Sequence, residues 1–399
     1  VHTHGRLVDV CTHQHLLTDS VIFNLVKNHH PFYTKRRGRW AFTEAEFGRY
    51  LHAHGLAEQW PRTDTGGYST ARDDLGGCTD PVIVALRECR TVESVLRNFR
   101  GTPSLAWCDH YGSDHRQRPY FAPYGSVTGR NQPAASQFVL ALPSWLRSLI
   151  EAPEGCAITG LDWGKQEFAV AAALSGDTVM AEAYRSGDPY LFFAQTAGMT
   201  APTDTADACK SARDLAKSTV LGLQYGMGLP GLHRKLCVDC GRQVPRETAE
   251  HLLQLHKRTF RQYWRWAWDL ERLRTSNHTL ELVDGWRVHT ANLATLTCRN
   301  WPVQGTGAVI LRRALVYAFE EGLPVVAPLH DAVYIEHRIG DTDPVDRMET
   351  LMHRATAEVL DGRIDITIER GTHPHGTIWL ERKGAKHYAR FAKLLQWEA

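Results

Sequence analysis

The sequence predicts an α+β fold in which pieces of mixed or antiparallel sheet flank a long helical insertion, and three observations carry that reading. Two short apolar strand signals, CAITGLDW at 156–163 and PVVAPLHDAVYIEH at 324–337, stand far apart in the chain. Between them, residues 177–275 are helical in pattern, with breaks at GDPY, GMGLPG and VP. The length of 399 residues exceeds one ordinary core, and a 43% hydrophobic content is enough to fold two or three subdomains without disulfide staples.

Residues 1–38 form a His-rich, basic lead-in that runs into Lys35, Arg36, Arg37 and Arg39, and it reads as loosely structured. FTEAEFGRYLHAHGL, from Phe42, reads as a helix capped by Thr43 and ended by Gly55. DPVIVALRECRTVESVLRNF adds one or two more helices. Frequent Gly, Pro, Tyr and Ser from Pro103 to Pro143 predict short strands and turns. CAITGLDW is a strand carrying Asp162 at its end, and QEFAVAAALSGD is a helix closed by Ser175 and Gly176. Strand signals return from Leu280, with one long helix over Gly305–Glu321 and a hairpin that puts Asp331 at its bend.

A net charge of +2 excludes a global electrostatic drive toward nucleic acid, so any such contact needs local basic surface. The nine cysteines are odd in number and scattered, and VHTHGRLVDV has no apolar leader, which together predict a reducing cytoplasm. No apolar run approaches membrane-spanning length, so no membrane partner is expected. Cys237 and Cys240 form CVDC beside His233, but no second pair follows at zinc-ribbon spacing.

In RDLAKSTVLGLQYG, at 213–226, Arg213, Lys217, Leu221 and Tyr225 recur every fourth residue along one slowly winding stripe of a helix. At 1.5 Å per residue the stripe covers roughly 18 Å, about the reach from a terminal phosphate to a base. Cations at one end and an aromatic at the other suit a nucleoside triphosphate, although an amphipathic helix with solvated charges shares the pattern. Asp162 and Asp331, each flanked by apolar strand residues, suit hard divalent ions, although each alone would serve as a turn or cap residue.

The ordered set LDWGKQE at 161–167, RDLAKSTVLGLQYG at 213–226, RNWPVQGTG at 299–307 and PLHDAVYIE at 328–336 resembles the motifs of family A DNA polymerases, the bacterial DNA polymerase I type. Upstream, SVTGRNQP at 126–133 resembles that family's thumb-to-palm motif. The resemblance covers about residues 40–380 and implies a right-hand polymerase fold. Its helical thumb would be 39–105, its palm 106–176 and 276–380, its helical fingers 177–275, with a basic C-terminal extension at 381–399.

The resemblance implies that Asp162 and Asp331, with the backbone carbonyl of Trp163, hold two Mg²⁺ ions, Mn²⁺ being able to substitute. The implied reaction is attack of a primer 3′-hydroxyl on the α-phosphate of a deoxynucleoside triphosphate, releasing pyrophosphate. Lys217 would face the phosphates and protonate the leaving group, and Arg213 would hold the terminal phosphate. Tyr225 would stack near the nascent pair, Gly226 would let the template pass, and Glu167 would exclude a ribose 2′-hydroxyl. Arg130 and Gln304 would touch the minor-groove edge near the primer end, with His330 near the primer terminus and Asn300 also binding DNA. The implied partners are primed DNA with a template overhang and deoxynucleotides, bound by a monomer in a bacterial nucleoid or encoded by a phage or mobile element.

Three positions depart from the family pattern. Ala332 stands where well-studied members carry glutamate, Leu221 where Phe or Tyr is usual, and Tyr190 where many have a phosphate-contacting His. The stretch ahead of Phe42 is too short for a 3′→5′ exonuclease domain, so no proofreading is expected from this chain. Two rivals stay open: a catalytically silent module that binds primed DNA, and a polymerase that copies RNA. At the C-terminus, Tyr388, Phe391 and Leu394 form an apolar stripe expected to dock on the palm, and Arg382, Lys383 and Lys386 offer a duplex-backbone contact.

Overall fold

The computed structural model describes residues 6–8, 30–36, 39–76, 78–100, 112–133, 138, 140, 144–275, 278–380, 384–385 and 388–389. Its chain divides into two compact units, one built mainly from Arg118–Ala135 and Glu151–Ile378 and the other mainly from Val8–Gln117 and Ser136–Ile150. The contacts expected of Arg382, Lys383, Lys386, Phe391 and Leu394 lie outside the described residues.

The smaller unit holds an antiparallel hairpin, β1 (Tyr33–Arg36) and β2 (Arg39–Phe42), followed by α1 (Glu44–Ala53) and α2 (Pro81–Arg100). The end of the lead-in is therefore a built strand. Phe32 and Tyr33 are buried with Phe47, Leu51, Trp60, Ile83 and Leu86, and this apolar anchoring holds the start of β1 in the core of the unit. Thr43 occupies the N-cap of α1 without a capping bond, because its hydroxyl instead meets that of Thr34 at 2.9 Å. Gly55 follows the helix at φ +67°, as a C-terminal stop requires. DPVIVALRECRTVESVLRNF forms one helix.

The larger unit contains β3 (Cys156–Trp163), α3 (Gln166–Ser175), α4 (Thr178–Arg185), α5 (Pro189–Thr196), α6 (Lys210–Gln224), α7 (Leu229–Cys240), α8 (Arg246–Thr259) and α9 (Arg261–Thr275). It continues with the ribbon β4 (Thr279–Glu281) and β5 (Arg287–His289), then α10 (Thr295–Glu320), β6 (Val325–Leu329), β7 (Ala332–Arg338), α11 (Asp343–Val359) and β8 (Ile368–Pro374). Four strands make one antiparallel sheet in the order β6-β7-β3-β8. The sheet is antiparallel throughout, and the protein is α+β.

Burial alternates at the end of β3, where Leu161 and Trp163 are buried and Asp162 between them is exposed. Period-two alternation thus turns two large apolar side chains into the core and leaves the carboxylate on the open face. Trp163 is fixed further by its indole N–H, which donates to the Thr356 hydroxyl at 3.0 Å. Among the described residues no helix is long and apolar enough to cross a membrane.

The long helix begins at Thr295, earlier than Gly305, and contains Pro302. Proline removes one ladder donor and normally breaks a helix. Here side-chain anchoring offsets that cost: Trp301 is fully buried and its indole N–H donates to the Val127 carbonyl at 2.7 Å. Burial of one indole contributes about 2–3 kcal/mol, comparable to the proline penalty of about 3 kcal/mol.

Candidate active site

The hairpin β6–β7 closes over a two-residue loop, His330 and Asp331, with His330 at φ +52°. A non-glycine residue in the left-handed region costs roughly 1–2 kcal/mol, and the register of the flanking strands holds it there. Ala332 pairs with Asp162 on β3, and the Trp163 amide donates to the Asp331 carbonyl at 3.0 Å. Asp162 and Asp331 therefore sit one register step apart at adjoining strand ends. On the other side of β3, Glu369 pairs with Asp162 in register and reaches Lys165 at 3.4 Å.

Burial pushes the Asp331 carboxyl above its usual range, against the opposing pull of a hydrogen bond to its own backbone and of His330, Arg130 and Lys217. The fields of Arg130, Lys217 and His330, all named from the sequence, thus favour the ionised form of this aspartate. Asp162 and Asp331 offer hard oxygen donors, and no group of three or more His, Cys, Asp or Glu placed to hold a metal occurs among the described residues. This donor set fits Mg²⁺, which is commonly held by one or two carboxylates with substrate phosphates and water completing its shell. His233 and Cys237 serve the fold: His233 Nε2 lies 2.7 Å from the Val244 carbonyl, and the Val244 amide donates to the Cys237 sulfur at 3.3 Å.

The 213–226 stripe lies on α6 and the residues that end it. Asp188, the N-cap of α5, accepts the Tyr190 and Leu191 amides at 3.0 and 3.1 Å with one oxygen. Its other oxygen accepts Arg213 Nε at 2.5 Å. That partner, invisible as a pattern in the sequence, fixes the guanidinium against the helix. The Tyr190 ring lies 5.7 Å from Arg213 Cζ and 5.6 Å from Lys217 Nζ. Burial first, then Glu167 and Asp188, push its phenol far above the ordinary range, so Tyr190 stays protonated as a donor.

Leu221 is half-buried and packs against the core of this unit. Tyr225 is 38% exposed, and its hydroxyl donates to one oxygen of Glu167. The other oxygen accepts Arg130 Nη2 at 2.8 Å. Burial raises the Glu167 carboxyl above its usual range, while Arg130 opposes the shift. Gly226 follows at φ +83°, a conformation that turns the chain sharply after the helix.

Residues not singled out in the sequence hold the Arg130 loop. Arg312 of α10 donates to the Gly129 carbonyl at 2.5 Å and to Asp284 at 2.6 Å. Its guanidinium also lies 4.1 Å from the Tyr124 ring centroid, and that ring stacks on Trp286 at 4.7 Å. Burial works to raise the Asp284 carboxyl, but the bonds from Arg312 and the Trp286 amide outweigh it and hold the group below its usual range. Asn300 and Gln304 are half-buried on α10. One turn beyond Gln304, α10 and α3 approach so closely that a Cβ on Gly307 would meet Gln166 Oε1 at 2.5 Å.

Comparison with known proteins bears on the family and the fold. The family model for DNA polymerase family A matches residues 45–375. DNA polymerase I of Aquifex aeolicus is 24% identical over 77% of this chain and 54% of its own length. DNA polymerase I of Deinococcus radiodurans is 25% identical over 80% of this chain and 34% of its own. The chain thus spans about half or less of these curated relatives. Among solved structures, the POL domain of Pol1 from M. smegmatis, in complex with DNA primer-template and dNTP, has a TM-score of 0.72 at 18% identity, covering 96% of this chain and 68% of that one. The matched span, the order of its motifs and the shared fold together show that the chain belongs to DNA polymerase family A.

Proposed function

We propose that this chain is a DNA-directed DNA polymerase that extends a primer 3′-hydroxyl with deoxynucleoside triphosphates. The observation that carries the reading is the placement of Asp162 and Asp331 at adjoining strand ends, where the Trp163 amide donates to the Asp331 carbonyl at 3.0 Å and Ala332 pairs with Asp162. Family membership supports it, as does the primer-template and dNTP named for the M. smegmatis structure.

In this reading the sheet β6-β7-β3-β8 belongs to the palm, residues 177–275 form the fingers and 39–105 the thumb. Divalent ions held by Asp162 and Asp331, with the Trp163 carbonyl, would activate the attacking hydroxyl and steady the leaving oxygen. Arg213, oriented by Asp188, holds the terminal phosphate by its remaining guanidinium nitrogens. Lys217 stabilises charge on the leaving pyrophosphate and donates a proton to it. The protonated Tyr190 phenol adds one hydrogen bond where other members use histidine. Glu167, held between Arg130 and Tyr225, fills the space a ribose 2′-hydroxyl needs. Arg130, Gln304, Asn300 and His330 line the primer terminus, and Gly226 admits the template.

Incubation of the purified chain with Mg²⁺, deoxynucleotides and a primed DNA template tests this directly. Stepwise primer extension is expected, and its absence from natively folded protein would leave a silent DNA-binding module as the better reading. A parallel RNA template decides whether template choice extends beyond DNA.

A further inference from the structure

Leaving an indole in water forgoes a large apolar contribution, yet Trp268 on α9 is 47% exposed. It is no loose side chain. Its ring packs against buried Trp264, with centroids 5.9 Å apart, and the Trp264 indole N–H donates to His256 Nδ1 at 2.9 Å. Lys257 Nζ, from α8, lies 5.0 Å from the Trp264 ring centroid and 5.8 Å from that of Trp268. The exposed ring therefore stands on a rigid base and loses little freedom on meeting a ligand.

Cations follow the same face. Arg261, Arg265, Trp268 and Arg272 are all exposed, and their spacing places them on one stripe of α9. The carboxylates of this helix are already engaged, Asp269 by Arg272 at 3.4 Å and Glu271 by Arg299 at 2.5 Å. Among the described residues, no carboxylate pairs with Lys257, Arg258, Arg261 or Arg265. Unpaired cations alternating with an upright aromatic ring match single-stranded nucleic acid, whose phosphates need charge and whose unpaired bases offer stacking faces. A duplex hides those faces, and an acidic protein surface would use the cations without needing the ring.

We propose that the face formed by Lys257, Arg261, Arg265 and Trp268 binds the unpaired template strand ahead of the primer end. The proposal rests on the polymerase reading for the source of that strand. Fluorescence anisotropy with a labelled DNA hairpin carrying about ten unpaired 5′ nucleotides, and with one carrying about two, tests it. Trp268→Ala is expected to weaken binding of the long-overhang hairpin about tenfold, and Trp268→Phe to keep most of the affinity, with short-overhang binding unchanged in both. Replacing Arg261 and Arg265 together by Ala should lower the salt dependence of long-overhang binding by about 1.4 in logarithmic slope.

Equal losses on both hairpins, or wild-type affinity of Trp268→Ala for the long overhang, would overturn the proposal. Loss confined to the arginine variant would also overturn it, in favour of a purely electrostatic surface for an acidic partner. Extension of the short-overhang hairpin by the wild type reports separately on the polymerase reading, while the anisotropy still scores the surface.

Discussion

The Trp163 amide donates to the Asp331 carbonyl at 3.0 Å. This bond carries the register of β7 on β3, in which Ala332 falls opposite Asp162, into the hairpin loop. A one-residue slip would send Asp162 to the buried face and Trp163 into water. The bulk of a fully buried tryptophan therefore enforces the relative position of the two aspartates, which depends on the hydrophobic core beneath them.

Arg312 anchors the Arg130 loop through the Gly129 carbonyl while paired with Asp284, and both side chains of that pair are 16% exposed. Arg312→Ala leaves the Asp284 carboxylate only the Tyr124 hydroxyl and the Trp286 amide as donors and should destabilise the chain by about 1–3 kcal/mol in urea unfolding. Arg312→Lys should recover part of the stability, because a point charge replaces the fork. Equal loss in both variants would show that packing on Tyr124 outweighs the charge.

Glu167 accepts from both Arg130 and Tyr225. Glu167→Ala frees the space beside the tyrosine and should raise ribonucleotide over deoxynucleotide use by about ten- to two-hundredfold in kcat/KM ratio. An unchanged ratio would remove Glu167 from the discrimination.

His256 is fully buried among Phe193, Phe260, Tyr263 and Trp264, and burial lowers its pKa from 6.5 to about 3. Below pH 6.5 the unfolded chain takes up this proton and the folded chain does not, so stability falls as pH drops. The contribution is complete above pH 6.5 and is lost by about 1.4 kcal/mol per pH unit down to about pH 3. His256→Phe should flatten that part of the stability profile, and calorimetry between these limits would read the difference.

Local pattern made much of this fold legible. The alternating strand ending at Asp162, the hairpin around Asp331 and the helix carrying Arg213, Lys217 and Leu221 each follow from a period that a few residues define. The start of α10 was hidden because Pro302 signals a break, and only the distant Val127 carbonyl on Trp301 explains its tolerance. Asp188 on Arg213, Arg312 on Gly129 and Glu369 opposite Asp162 are likewise pairings between distant segments. Pairwise register and buried charge partners leave no periodic trace in one sequence. The burial of Phe32 and Tyr33 was obscured by the basic residues that follow them.

The central claim is that Asp162 and Asp331 together support nucleotidyl transfer, and single-turnover primer extension by the wild type, Asp162→Asn and Asp331→Asn tests it most directly. With binding to primed DNA measured alongside, each Asn variant should extend about a thousandfold more slowly or not at all, at near wild-type affinity. Extension by either variant at the wild-type rate would contradict the account.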